Sequence, residues 1–279
     1  MDPPAPKAGA LARLCHTEIL LAVNTDMKTA ILVTGRPRFS REFDDLLINL
    51  KNYDQLDWFF LLWNSDHAED IRIPPSWPYG DIDTIRGRIL HNLPERSNIA
   101  HLSIVDPPAF DATKSYNITP WSVAPNIWTM YFGIQAVNDI REQYELKHGP
   151  YDLAIRARPD IGVDTPLDLR SLQEQLSNMP PTVVVSSNER HGMSGTPLND
   201  MFGIMLPSTM STYSRAFENI DKYNAQGLPF HGETVLAHHL HVNNIAVPPT
   251  NFRCVGRQYG RNGEPRLGDD SNSDFGRWN

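Results

Sequence analysis

The run Tyr151-Asp152-Leu153-Ala154-Ile155-Arg156-Ala157-Arg158-Pro159-Asp160 decides the fold, because an apolar strand runs straight into two arginines and an aspartate. Side chains alternate along a strand, so Ala154, Arg156 and Arg158 share one face and Leu153, Ile155 and Ala157 the other. Pro159 stops the strand. An unpaired buried charge costs several kcal/mol, so charges at the end of a central strand imply a use, and anion recognition is the first to consider.

Outward from this run, strands and helices alternate. On the amino-terminal side, Pro125 opens a helix carrying Ile127, Tyr131, Ile134, Val137 and Ile140 or Tyr144 at helical spacing, closed by Gly149-Pro150. Earlier come a strand from Thr29 to Thr34 and a helix from Ser40, its N-cap, to Tyr53, with Phe43, Leu46, Leu47 and Leu50 on one face. Asp57 to Trp63 and Ile99 to Val105 follow as strands, the former continuously apolar, as a parallel sheet covered on both faces requires. The proline-rich stretch from Ile71 to Tyr79 reads as a loop. Beyond the run, Thr182 to Ser186 and Phe202 to Leu206 read as strands, and Ser208 to Tyr223 and Gly232 to Val242 as helices. The expectation is an α/β fold, Rossmann-like, with a mixed, mostly parallel sheet flanked by helices on both faces.

The chain divides into residues 1–26, an extension outside the core fold, a domain over 27–250, and residues 251–279, a tail or a loop laid over the site, rich in Gly, Arg, Asn and Asp. Its 279 residues are 40% hydrophobic and 21% charged, which suits one large domain. A formal net charge of -8 without a long basic run excludes a general nucleic-acid or anionic-membrane surface, so phosphate chemistry must rest on local arginines. Cys15 and Cys254 stand apart with no metal-binding spacing, which points to a reducing, cytoplasmic setting. The longest apolar stretch near the amino terminus, Ile19 to Val23, is too short to cross a bilayer.

Ligands of open α/β sheets sit outside the carboxyl ends of the strands. That rule selects Gly35, Arg36 and Arg38 after the first strand, Asn64, Ser65 and Asp66 after the second, Asp106 after the third, and Arg158 and Asp160 after the fourth. Gly35-Arg36-Pro37-Arg38 joins strand to helix, where backbone N–H groups favour an anion and arginine grips phosphate bidentately; a solvent-exposed basic turn has the same sequence. Neither GxGxxG nor GxxxxGK[ST] is present, so dinucleotide and Walker-type readings recede. Arg156, Arg158 and Asp160 form either a diphosphate site, with Asp160 holding Mg²⁺ or Mn²⁺, or an ion pair that staples the strand end. Asp200, in Asn199-Asp200-Met201-Phe202-Gly203, meets an acceptor hydroxyl or caps a turn. Glu233, opening a helix after His231-Gly232, is a general base or answers the helix dipole. Trp128 offers a stacking surface or packs in the core. His238, His239 and His241 lack the spacing of a metal cage.

Taken in order, these segments resemble a broad group of nucleotide-sugar glycosyltransferases with a GT-A-like fold from microbial and viral polysaccharide systems. The resemblance rests on Gly35 to Arg38, Phe59 to Trp63, Tyr151 to Asp160, Asn199 to Ile204 and Gly232-Glu233-Thr234, and spans Met27 to Val247. It implies transfer of a sugar from a nucleoside diphosphate sugar to a hydroxyl of a glycan or small-molecule acceptor. Arg38, Arg158 and Asp160 would then serve the diphosphate, Asp160 the metal, and Asp200 or Glu233 the acceptor. Arg158 stands where the group's better-known members place the first acid of D-x-D, and an arginine there can itself neutralise phosphate charge. Two other readings of the same fold are a non-catalytic carbohydrate-binding or assembly protein and a sugar-phosphate hydrolase.

Overall fold

The computed structural model describes residues 26–37, 41–64, 83, 86–87, 89–90, 93–119, 123–186 and 198–256. Four parallel strands form one side of a six-stranded sheet: β1 (Lys28–Gly35), β3 (Gln55–Trp63), β4 (Ser97–Val105) and β5 (Leu153–Ala157). The sheet order is β4-β3-β1-β5-β9-β8, where β8 is Val183–Val185 and β9 is Gly203–Met205. Strand β9 runs antiparallel to both β5 and β8, so the sheet is mixed and mostly parallel.

Strand alternation puts a different core on each face. Ala30, Leu32, Phe59, Leu61, Trp63 and Ala154 point to a layer made by helices α2 (Ala124–His148), α4 (Pro207–Ser214), α5 (Ala216–Ala225) and α6 (Gly232–Val242). Ile31, Val33, Trp58, Phe60, Leu62, Leu153, Ile155 and Ala157 point the other way, onto α1 (Arg41–Asn49) and α3 (Leu169–Ser177). Phe43, Leu46 and Leu47 of α1 are buried there, as their helical spacing requires. Helix α2 lies close over the sheet: a Cβ added at Gly133 would stand 2.4 Å from Thr34 Oγ1 and 2.7 Å from Trp63 Cζ2. Glycine at this point lets the helix cross the carboxyl ends of β1 and β3.

Several elements depart from the sequence expectations. The helix expected over Ser208 to Tyr223 is broken at Arg215, whose N–H bonds Thr212 O at 3.1 Å in a tighter turn. Just before the break, the Ser211 and Ser214 hydroxyls bond backbone carbonyls of their own helix, and Arg215 reaches Asp139 and Glu218, each at 3.0 Å. Helix α3 and the short strands β2 (Leu50–Lys51), β6 (Ile161–Val163) and β7 (Leu167–Asp168) were not anticipated. Asp168 caps α3 by accepting Ser171 N–H at 2.9 Å, and Leu169 and Leu176 turn inward. Within the segment read as a tail, β10 (Cys254–Gly256) pairs antiparallel with β6, Gly256 opposite Ile161. Ser40, the expected N-cap of α1, and the stretch from Ile71 to Tyr79 lie outside the described residues.

Candidate active site

The carboxyl edge of the parallel strands gathers several of the selected residues. Gly35 ends β1 with φ +133°, a conformation side chains rarely adopt, and a Cβ there would meet Pro159 Cδ at 3.6 Å. The turn carrying Arg36 therefore lies against the turn carrying Arg158, Pro159 and Asp160. At the ends of β3 and β4, Asn64 Nδ2 donates to Asp106 Oδ1 at 3.0 Å. Arg38, Ser65 and Asp66 lie outside the described residues.

Arg158 and Asp160 form a two-pronged ion pair, Nε donating to Oδ1 at 2.9 Å and Nη2 to Oδ2 at 2.6 Å. The arginine side chain is 34% exposed and the aspartate 8%. Both carboxylate oxygens are thus engaged by the guanidinium. Among the described residues, no three or more His, Cys, Asp and Glu side chains gather as a metal site requires. As arranged, Asp160 does not fit a resident Mn²⁺ or Mg²⁺, since a hard cation would have to displace Arg158 to reach an oxygen. The stapled strand end and the diphosphate site, held open as alternatives by the sequence, thus meet in one residue pair: Arg158 is stapled, yet a third of it faces solvent.

Arg156 is treated in the opposite way. It shares a strand face with Ala154, lies in register with Leu32 of β1 and Gly203 of β9, and is 1% exposed. Its Nε, Nη1 and Nη2 have no hydrogen-bond partner among the described residues. Burial works against its charge, while Tyr213 and Asp200 favour it electrostatically.

Asp200 and Glu233 come together through a turn and a helix start. Because β9 is antiparallel to β5, the turn preceding β9 falls at the carboxyl edge of β5. In that turn Asn199, fully buried, uses Oδ1 to accept Met201 N–H at 2.7 Å and Nδ2 to donate to Ser186 Oγ at 2.9 Å. The turn-capping role foreseen for Asp200 thus falls to Asn199. Asp200 instead presses against the start of α6: a Cβ at Gly232 would stand 2.4 Å from its Oδ2. Gly232 is held from the other side by Tyr131, whose hydroxyl donates to its carbonyl at 2.5 Å. Glu233, next in the chain, has 16% of its side chain exposed and stands 3.5 Å from His231 Nδ1. Burial, reinforced by the charge of Asp200, pushes the Glu233 carboxyl up to about 8 from an ordinary 4.5. Both causes favour the protonated form of Glu233.

Residues that the sequence did not mark complete the cluster. Burial pushes the Tyr131 phenol far up and the Tyr213 phenol up to about 12, so both stay neutral beside Arg156 and Asp200. Tyr131 shows the spacing of a core residue and Tyr213 sits on an unremarkable helix, so neither carried a signal beyond packing. Trp128 takes the packing alternative, in contact with the rings of Phe110, Phe132 and Phe217 at centroid distances of 6.2, 6.0 and 5.0 Å. His239 is buried, with one nitrogen 2.9 Å from the Tyr223 hydroxyl and the other 2.8 Å from Thr212 O.

No protein-family model matches this chain, and no curated protein sequence matches it. Among solved structures, the apo form of mouse xyloside xylosyltransferase 1 is similar to it with a TM-score of 0.46 and 12% identity, over 80% of this chain and 85% of that one. The functional reading rests on the side chains. Among the described residues, no helix is long and apolar enough to cross a membrane.

Proposed function

We propose that this chain is a glycosyltransferase that moves a sugar from a nucleoside diphosphate sugar to a hydroxyl of a glycan or small-molecule acceptor. One observation carries the reading: two carboxyl groups, Asp200 and Glu233, the latter with its pKa raised by burial, converge at the carboxyl edge of a mostly parallel sheet beside strand ends rich in arginine. Asp200 takes the proton of the acceptor hydroxyl as its oxygen bonds to the anomeric carbon, and the carbon–phosphate oxygen bond breaks. Glu233, neutral, donates a hydrogen bond to the same hydroxyl and orients it. The negative charge growing on the departing diphosphate falls to the arginines of the Gly35 and Pro159 turns, Arg36 and Arg158, joined by Arg38. With Asp200 as base the transfer is a single displacement and inverts the anomeric configuration.

Thermal unfolding tests the reading directly. A nucleoside diphosphate at tens of times its Kd raises stability by about 2 kcal/mol. UDP, GDP, ADP, TDP and CMP are each added with Mn²⁺ and with EDTA; one of them is expected to raise Tm, equally under both conditions. No shift with any of them overturns the transferase reading and leaves a carbohydrate-binding role. In turnover assays with the nucleotide sugar so identified, Asp200→Asn is expected to lose at least ~100-fold in kcat while keeping donor affinity.

A further inference from the structure

We propose that Arg158 takes the place of a divalent cation in this site: paired with Asp160 along one edge, it presents its other edge to the donor diphosphate, which binds without Mn²⁺ or Mg²⁺. The inference rests on the reading that the carboxyl edge of the sheet takes a nucleoside diphosphate sugar. Its basis is the geometry of one ion pair. Arg158 Nε donates to Asp160 Oδ1 at 2.9 Å and Nη2 to Oδ2 at 2.6 Å, so the carboxylate lies along the Nε–Nη2 edge of the guanidinium. The Nη1–Nη2 edge is left over. Nη1 has no hydrogen-bond partner among the described residues and is not one of the buried polar atoms there that lack one, so it reaches solvent. A guanidinium carries its N–H donors in a fixed planar fork, and two parallel bonds from its free edge match two phosphate oxygens.

An arginine that only holds the fold together looks different in the same chain. Arg141 of α2 is 1% exposed and commits all three nitrogens inside: Nε to Asn138 Oδ1 at 2.9 Å, Nη1 to Glu145 Oε1 at 2.6 Å and Nη2 to Ser211 Oγ at 3.1 Å. Arg158 uses one edge and keeps a third of its side chain in solvent. A hard cation in such a site would join carboxylate oxygens to phosphate oxygens. Arg158 makes the same connection through hydrogen bonds, with Asp160 behind it and the phosphate in front. Both Asp160 oxygens are already engaged, and no three or more His, Cys, Asp and Glu side chains gather among the described residues to hold an ion. The pair is also braced by the backbone around it. Pro159, between its two members, lies against Gly35, where a Cβ would stand 3.6 Å from Pro159 Cδ. Asp160, 8% exposed, leads directly into β6, whose Ile161 and Val163 are buried and whose backbone pairs with β10. The free edge is therefore fixed before a ligand arrives, and little ordering is left to oppose binding.

Isothermal titration calorimetry of the full chain tests this. The probes are UDP, GDP, ADP and TDP, each in EDTA and in Mn²⁺, and inorganic pyrophosphate in EDTA as a diphosphate without a base. The wild type is expected to bind one nucleotide about equally tightly in both buffers; an affinity at least ~10-fold higher with Mn²⁺ overturns the proposal. In Arg158→Met the affinity in EDTA is expected to fall by at least ~10-fold, for that nucleotide and for pyrophosphate alike, since two charge-assisted hydrogen bonds are lost. An unchanged affinity marks Arg158 as a staple only and overturns the proposal as well. Arg158→Met leaves the Asp160 carboxylate buried without its partner. Should that variant fail to fold, Arg158→Met/Asp160→Asn removes both charges together and is held to the same two results. If no nucleotide binds the wild type but pyrophosphate does, and Arg158→Met loses it, the transferase reading fails while the cation-free diphosphate site stands. If neither nucleotide nor pyrophosphate binds the wild type in EDTA, the proposal falls.

Discussion

Replacing Glu233 by glutamine removes the site's titratable proton while keeping the shape of the side chain, and its signature lies in the pH dependence of stability. The folded-state carboxyl is raised to about 8 from an ordinary 4.5 by burial and by Asp200. A group raised on folding contributes stability that is fully present below its unfolded value and lost as pH rises through its folded value. Each pH unit between the two costs the wild type about 1.4 kcal/mol, so the full span is worth about 5 kcal/mol, of which about 2 falls between pH 6.5 and 8. That window is clear of the other large shifts. His101 and His239, held down by burial, lose stability for the fold only as pH falls below 6.5, and the Cys254 thiol, pushed up to about 12, acts only above 9. For a protein of this size about 2 kcal/mol corresponds to a Tm fall of roughly 5 °C. Differential scanning fluorimetry from pH 6.5 to 8 should therefore show the wild-type Tm falling and the Glu233→Gln Tm flat, the variant's advantage widening as pH rises. Parallel curves for the two proteins would refute the argument that Glu233 carries the proton.

Gly232→Ala sets a local helix preference against the site: alanine favours the helix by about 1 kcal/mol, yet its Cβ would fall 2.4 Å from Asp200 Oδ2 and push the carboxylate aside. Tm should change little while turnover falls by at least ~10-fold, and an equal turnover would show that Asp200 does not need this position. Asp160→Asn leaves Arg158 without its bidentate acceptor; with a third of that side chain in solvent the cost is about 1 kcal/mol by chemical denaturation. The same change releases Arg158 for phosphate, so calorimetry should show nucleoside diphosphate binding tightened, whereas a collapse of binding would make Asp160 a direct donor ligand. Tyr151→Phe removes the 2.7 Å hydrogen bond to Asp57 Oδ2, a carboxylate that is 2% exposed. It should cost about 1–3 kcal/mol in denaturant midpoint with no effect on nucleotide binding, since the pair lies at the amino ends of β3 and β5, away from the carboxyl edge.

The two levels of organisation were unequally legible, and Arg156 shows why. Period-2 and period-3.6 patterns report on which face a residue takes, so the apolar strands β1, β3 and β5, the inward stripe of α1 and the long α2 follow from the residues alone. Elements held by polar detail do not. Helix α3 needed the Asp168 cap to be seen, β10 needed a partner strand over 90 positions away in sequence, and the break at Arg215 depends on ion pairs to α2 and α5. At the site, the carboxyl-edge rule picks out strand ends but ranks all charged residues there alike, so Arg156, Arg158 and Asp160 read as one phosphate-binding unit. Pairing is a property of three dimensions, and it divides them: Asp160 closes on Arg158, while Arg156, two residues earlier, is buried with no hydrogen-bond acceptor among the described residues. Asp200 in turn stands out from Asn199 only once Asn199 is seen to hold the turn and Gly232 to lie against the Asp200 carboxylate. An Asn-Asp pair before a strand leaves open which residue caps and which acts, and only the direction of each side chain separates them. The features that separate these charged residues thus lie where the sequence is least explicit, in which charges are paired with neighbours and which are not.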